Sequence, residues 1–272
     1  MNKLKISNKD IYLENKDDCL SLIVEEASKL LDVQTVKIII NSDTDIVIEC
    51  EEIENVKFDI CVNVLKGVKA SIYELKKNGK YKFQYKYYLE DDSYLNIEKV
   101  INVQKIHEMT VINLNGENAK IDYNLKTVSK DKEKYNFLVY HNARKTASNI
   151  RNSGVNILDG KIEFNVSSFV PNDIKKCDVN QSTRIINMTD NTCTIKPNLF
   201  IDEEDVIANH SALIGTFSFD EIFYLESRGI NKKESERLLT RGFLTKGITY
   251  HEKAIKDIVD QYWGWDYEQR RF

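Results

Sequence analysis

Residues Pro197 to Phe243 read PNLFIDEEDVIANHSALIGTFSFDEIFYLESRGINKKESERLLTRGF, and within them the chain changes character. Up to Gly215 the segment is strand-like and carries a lone histidine, His210. Beyond it, Ser218 is followed three residues later by Glu221, and Asn231 by Glu234. Both pairs read as capping boxes, which satisfy the free N–H groups of a helix start. Gly229 and Gly242 stand where the two helices are expected to stop, because glycine enters the left-handed conformation without a Cβ clash. Thr249 and Glu252 repeat the box, and Ile255, Ile258, Val259 and Tyr262 then recur at helical spacing. A small all-helical unit is expected over 216–272.

Upstream of this junction the apolar period is two. It runs through Val56, Phe58, Ile60 and Val62; Tyr81, Phe83, Tyr85 and Tyr87; Ile121, Tyr123 and Leu125; Tyr135, Phe137 and Val139; Ile162, Phe164 and Val166. Such alternation marks strands with one buried face. Polar turns, among them Lys77-Asn78-Gly79 and Leu158-Asp159-Gly160, separate them, and the pattern predicts an all-β body over 33–215. Sandwich, barrel and solenoid all fit, since no clean repeat is visible. Nearer the N-terminus, Leu20, Ile23, Val24, Ala27, Leu30 and Leu31 are spaced as one amphipathic helix within an N-terminal helical segment, 1–32.

The 272 residues suffice for one substantial core. A net charge of −4, with lysine and arginine dispersed among acidic residues along the chain, argues against a nucleic-acid binder. No apolar run approaches the ~20 residues of a membrane helix, and the first residues are too polar for a signal peptide, so a cytoplasmic protein without a membrane partner is expected. Five cysteines, Cys19, Cys50, Cys61, Cys177 and Cys193, include no C-x-x-C pair and read as reduced thiols. No phosphate-cradling glycine motif, nucleophile elbow or H-E-x-x-H pair is present. Asn41, Asp43, Asp45 and Glu52 imitate a calcium loop, but Ile46 occupies the position that needs glycine.

A set of residues carries a resemblance. His141-Asn142-Ala143-Arg144, Ser153-Gly154-Val155, Pro197, Asp205-Val206, His210-Ser211-Ala212 and Gly215 are followed by Phe223-Tyr224-Leu225-Glu226-Ser227-Arg228-Gly229-Ile230, Glu234, Leu238-Leu239 and Gly242-Phe243. Together they resemble the SufB/SufD family of the SUF iron–sulfur cluster assembly machinery. The resemblance implies a right-handed parallel β-helix of stacked triangular coils, followed by helices that dock on SufC, an ABC-type ATPase. It also implies pairing with a second SufB/SufD-type subunit, as a homodimer or heterodimer, and a transient iron–sulfur cluster at the subunit interface.

Within that resemblance, SufB members carry a glutamate directly after the histidine matching His210, whereas Ser211 stands here. Counting back without gaps, the SufB strand cysteine falls near Ser182, with Cys177 and Cys193 the nearest thiols. The pattern is SufD-like, or that of a compact SufBD variant. The implied cluster and interface candidates are His210, also the candidate metal ligand, with Cys193, Cys177 and Ser182; inert packing of the two cysteines is the favoured reading, and their approach on neighbouring rungs to donate thiolate sulfur the alternative. The implied SufC-docking residues are Arg228, Phe223, Tyr224, Leu225, Leu238, Leu239 and Phe243. Phe223, Tyr224 and Leu225 are further expected to pack the first C-terminal helix on the end of the β-helix, His141 to serve a turn or stacking role rather than ligation, and Tyr262, Trp263, Trp265 and Tyr267 to pack the last helix. The expected role is a scaffold, not an enzyme. Two rival readings are a β-helix enzyme acting on polysaccharide and an interaction module that tunes SufC without touching metal.

Overall fold

The computed structural model describes residues 2–6, 11–14, 22–30, 33–51 and 57–264. The strands are β1 (Asn2–Ile6), β2 (Ile11–Glu14), β3 (Leu22–Leu30), β4 (Val33–Ile40), β5 (Thr44–Glu51), β6 (Lys57–Val64), β7 (Lys69–Lys77), β8 (Lys80–Leu89) and β9 (Tyr94–Asn102). They continue with β10 (Lys105–Leu114), β11 (Lys120–Ser129), β12 (Lys132–His141), β13 (Ala147–Asn156), β14 (Lys161–Val170), β15 (Cys177–Asn187), β16 (Thr194–Ile201) and β17 (Val206–Gly215). Three helices follow, α1 (Phe219–Glu226), α2 (Lys232–Thr245) and α3 (Glu252–Gly264).

From β4 onward, even strands stack in one parallel sheet and odd strands from β5 in the other, giving a parallel β-solenoid. Each coil contributes one strand to each of two sheets, so the coils are flattened rather than triangular. The alternating apolar residues point between the sheets, where Phe58, Tyr85, Tyr87, Tyr123, Tyr135, Phe137 and Phe164 are almost wholly buried. Rings stack from coil to coil, Phe58 on Phe83 at 4.9 Å and Tyr135 on Phe164 at 5.0 Å.

The repeat escapes the eye in the sequence because the coils lengthen. Val33 pairs with Lys57, 24 residues on, whereas Glu163 pairs with Thr194, 31 on. The turns grow while the strands stay near ten residues. Only Asn78 and Gly79 separate β7 from β8, but six residues separate β15 from β16. At the opposite corner, Asp92, Asn118, Lys145 and Lys176 take φ near +60°, and each donates its N–H to the next coil, as Asp92 does to Glu117 O at 2.8 Å.

Two local expectations are corrected here. The segment read as an N-terminal helix is β3, antiparallel to β4 with a register shift between Glu25 and Ser28. A bulge resets the period-two alternation, and the broken phase mimics helical spacing. Leu20, Leu31 and Val56 lie outside the described residues. Likewise α2 runs through Gly242 to Thr245, and Gly247, at φ +75°, is the left-handed residue beyond it. Gly229 does terminate α1, at φ +83°.

Among the described residues no helix is long and apolar enough to cross a membrane. Helices α2 and α3 cover the outer face of the odd-strand sheet. Leu244, Ile248, Ile255, Ile258, Val259 and Trp263 bury themselves against Leu75, Val100, Val128, Val155 and Ile186. Tyr262 donates to Asn102 Oδ1 at 2.7 Å and accepts from Lys130 Nζ at 2.9 Å. Trp263 and Tyr262 thus pack the last helix as expected; Trp265 and Tyr267 lie outside the described residues.

Candidate functional site at the open end of the solenoid

Among the described residues the last coil, β16 and β17, has a neighbour on one side only. Each strand is the terminal member of its sheet, so the backbone edge facing away from the stack is unpaired. Inner-face residues that would be buried one coil earlier are uncovered here. Ile214 is 41% exposed, although Ile185, its register partner on β15, is buried. On the outer face, Phe200, Ile207 and Leu213 are more than half exposed. A hydrophobic strand edge of this kind is a pairing surface unless it is blunted.

His210 lies on β17 opposite Gln181 and continues the inner row Tyr123, Ile150, Gln181, His210. It is exposed, and among the described residues no further coil covers that row. Beneath it, Gln181 is 3% exposed and donates to Ser168 Oγ at 2.8 Å and to Asn198 O at 3.1 Å. The end of the solenoid interior is therefore polar, with an imidazole at its mouth.

The other candidates do not join it. Ser182 is on the outer face, where Ser211 Oγ meets its hydroxyl at 3.1 Å, so Ser182 and His210 look to opposite sides of one sheet. Cys177, at the start of β15, packs with Val170, Val179, Leu199 and Ile201. Cys193, 8% exposed, adjoins the start of β16 and belongs to the main core. The two thiols pack inertly, as the favoured reading had it, and do not approach each other: they sit at opposite ends of β16, on the order of 25 Å apart at about 3.3 Å per residue. Burial raises the Cys193 thiol above its usual value, which keeps it protonated. Among the described residues no group of three His, Cys, Asp or Glu side chains converges as a metal site. His141 is fully buried, and Thr146 directs its own hydroxyl proton at Ala143 O. That leaves His141 Nδ1 to donate to Thr146 Oγ1 at 2.7 Å and Nε2 to accept from Ser148 Oγ at 2.9 Å, a neutral ring that burial holds down to about 4.

The helical end presents a second exposed surface. Ser218 and Glu221 form the full reciprocal capping box, and Asn231 caps α2 by accepting from Glu234 N. No residue of α1 is buried. Phe219 is 77%, Phe223 56% and Tyr224 58% exposed, so the expected packing of Phe223 and Tyr224 on the β-helix end is overturned. An eight-residue helix, joined to β17 through 216–218, of which Phe217 is half-buried, meets α2. The Arg228 guanidinium lies over the Tyr224 ring at 5.3 Å, and Leu225, Leu238, Leu239 and Phe243 are half-buried. A groove of about 600 Å³ lies beside α1, lined by Met188, Phe217, Phe219, Ile222, Lys232 and Glu236.

Sequence reading missed two buried polar sites. Inside the solenoid, Lys76 and Lys99 alternate with Glu74 and Glu108, four ion pairs between 2.6 and 3.0 Å with every side chain almost fully buried. Burial alone would raise Glu108, but Lys76 and Lys99 more than offset it and hold the carboxyl down to about 2. Lys99 Nζ also sits 3.4 Å from the Tyr85 ring centroid. The signal lay in plain view: charged residues occupy inward positions of otherwise alternating strands, as Lys99 does two residues after Ile97. The second is Glu98, on the outer face, which receives the start of the α3 region. Thr249 bonds Glu98 and not Glu252, so the third expected capping box does not form.

The model of the SUF system FeS cluster assembly SufBD core domain matches residues 26–243. The chain belongs to the SufBD core family. Its relatives include SufD of Bacillus subtilis, 30% identical over 152 residues that make up 55% of this chain and 34% of that protein. The chloroplastic protein ABCI7 of Arabidopsis thaliana is 31% identical over 107 residues, 39% of this chain and 21% of that one. SufD of Escherichia coli is 40% identical over 48 residues, 18% and 11% of the two chains. The matched region spans about a third or less of the length of these relatives.

Proposed function

We propose that this protein is a scaffold subunit for iron–sulfur cluster assembly, working by assembly with partners and not as a free-standing catalyst. What carries the reading is the uncapped last coil: two unpaired strand edges, flanked by exposed Phe200, Ile207, Leu213 and Ile214, with His210 at the centre. A second SufB/SufD-type subunit pairing along these edges would cover the apolar residues and give the orphan backbone groups their partners. A single imidazole cannot hold a cluster. His210 of one subunit would serve as one ligand, with the remainder supplied across the interface, so iron and sulfide would be bound transiently and only in the complex. The exposed face of α1, with Phe223, Tyr224 and Arg228, and the half-buried Leu225, Leu238, Leu239 and Phe243 behind it, would recruit the ABC-type ATPase SufC. The solenoid would then transmit the nucleotide-driven motion of that partner to the interface.

The test is co-expression of the chain with the SufC of its own organism, followed by the mass of the purified complex and its iron and acid-labile sulfide content. A complex with two copies of a SufB/SufD-type subunit that holds iron, and loses it in His210→Ala, is the expected result. Failure of the chain to associate with SufC, or iron retention unaffected by His210→Ala, overturns the proposal.

A further inference from the structure

Lysines that are dispersed along the sequence are gathered by the fold onto one face. Strands β8, β10, β12 and β14 each begin with a lysine that points outward from the even-strand sheet, Lys80, Lys105, Lys132 and Lys161. The register places them opposite one another: Lys80 against Lys105, and Lys132 against Lys161. The column is therefore straight, with about 4.8 Å between neighbours. Two residues further along the strands runs a second column, Lys82, His107 and Lys134.

Like charges directly opposite one another on a sheet are destabilising, and among the described residues few carboxylates relieve them. Lys134 pairs with Glu163 at 3.0 Å, but among the described residues Lys80, Lys82, Lys105, Lys132 and Lys161 make no ion pair. Among the described residues the outward carboxylates of the even strands β6 to β14 are Asp59, engaged by Lys57, and Glu163, while Asp131 and Asp159 border the column from the turns. This cationic field belongs to a chain whose net charge is −4. Among the described residues, helices α2 and α3 pack on the other sheet and not on this face.

We infer that this lysine face adsorbs to an anionic lipid surface. The two columns lie about 7 Å apart on one sheet face, so a planar surface meets both at once. The side chains are lysine rather than arginine, point charges without the fork that reads individual phosphates or carboxylates. Aromatic side chains that would stack on exposed bases are committed to one another instead: Tyr140, Phe169 and Phe200, on the far side of the same sheet face, form a ladder with rings 4.8 Å apart. The attachment is peripheral and leaves the open coil and the helical end free, so it is independent of the scaffold reading.

The test is co-sedimentation of the full chain with vesicles of phosphatidylcholine alone or with about a third phosphatidylglycerol. Binding is expected to the anionic vesicles only and to disappear in high salt. At about 1 kcal/mol per lysine near such a surface, Lys105→Gln with Lys132→Gln weakens it about thirtyfold. The Arg pair at the same positions retains it, which separates loss of charge from loss of fold, and Lys66→Gln with Lys145→Gln, on the corner turns, leaves it unchanged. Equal binding to neutral vesicles, no binding to either, indifference to the Gln pair, or tighter binding to duplex DNA than to anionic vesicles overturns the inference.

Discussion

Thr249 gives both its backbone N–H, at 3.0 Å, and its hydroxyl, at 2.8 Å, to the carboxylate of Glu98. Tyr250 adds a third donor from its backbone at 3.2 Å. A side chain in the third coil thereby fixes the turn into α3, 151 positions later in the chain, and this polar anchor sets how the helical unit sits on the solenoid. Glu98→Ala removes the acceptor of two part-buried N–H groups and one hydroxyl, and is expected to cost about 1–2 kcal/mol. Limited proteolysis should then cut near 246–251 while the β body stays intact; a variant as resistant as the parent would show the anchor to be dispensable.

The buried quartet is a larger commitment. Lys99→Met leaves Glu74 and Glu108 to share Lys76 in the core, which is expected to cost about 3–5 kcal/mol in urea unfolding. Adding Glu108→Leu removes the uncompensated charge and should recover part of the loss. A double variant less stable than Lys99→Met would contradict this account of the pairs.

Glu133 is the interior carboxyl without a cation. Burial pushes it up to about 7, and hydroxyl bonds from Thr127 at 2.6 Å and Tyr135 at 2.8 Å offset only part of that rise. The folded state therefore holds a proton that the unfolded chain releases near its ordinary value of 4.5. Its contribution is complete below about pH 4.5 and is lost as pH rises through 7, on the order of 3 kcal/mol in all. His141, held down to about 4, runs the other way, its contribution falling away as pH drops below about 6.5. The two are separated by difference: Glu133→Gln should gain on the parent protein steadily between pH 5 and pH 7, measured by chemical denaturation. Parallel curves would place the Glu133 carboxyl in its normal range.

Helix α1 separates stability from assembly. Phe223→Ala with Tyr224→Ala removes side chains that are more than half exposed, so unfolding of the isolated chain should shift by less than about 0.5 kcal/mol. Affinity for SufC, measured by calorimetry, is expected to fall at least tenfold, as for aromatic anchors at an interface. Unchanged affinity would move the docking surface elsewhere.

How much was legible differs by feature. The strands built on Phe58, Tyr81, Ile121, Tyr135 and Ile162 follow from their alternation, because a strand buried on one face must repeat every two residues. The caps at Ser218 and Asn231 were equally readable, since a cap is made by residues three apart. The coil was not, because turns of two to six residues hide a repeat that only the ladder registers expose. The separation of Cys177 from Cys193 was also hidden. They are sixteen positions apart along the chain, but a coil carries them to opposite corners.

By itself the sequence determined which residues alternate, where helices begin, that glycine ends α1, and, through the run from Phe223 to Ile230, the family to which the chain belongs. Those properties are local, set by side chains a few positions apart. The tertiary structure decided what adjacency along the stack requires: the pairing of Glu74, Lys76, Lys99 and Glu108 inside the core, the anchoring of Thr249 on Glu98, the gathering of Lys80, Lys105, Lys132 and Lys161 on one face, and the exposure of His210. Each depends on contacts between residues about one coil apart or more, and coil length is fixed by turns whose spacing the alternation does not encode. His210 lies open at the end of the stack, where among the described residues no further coil is placed upon it.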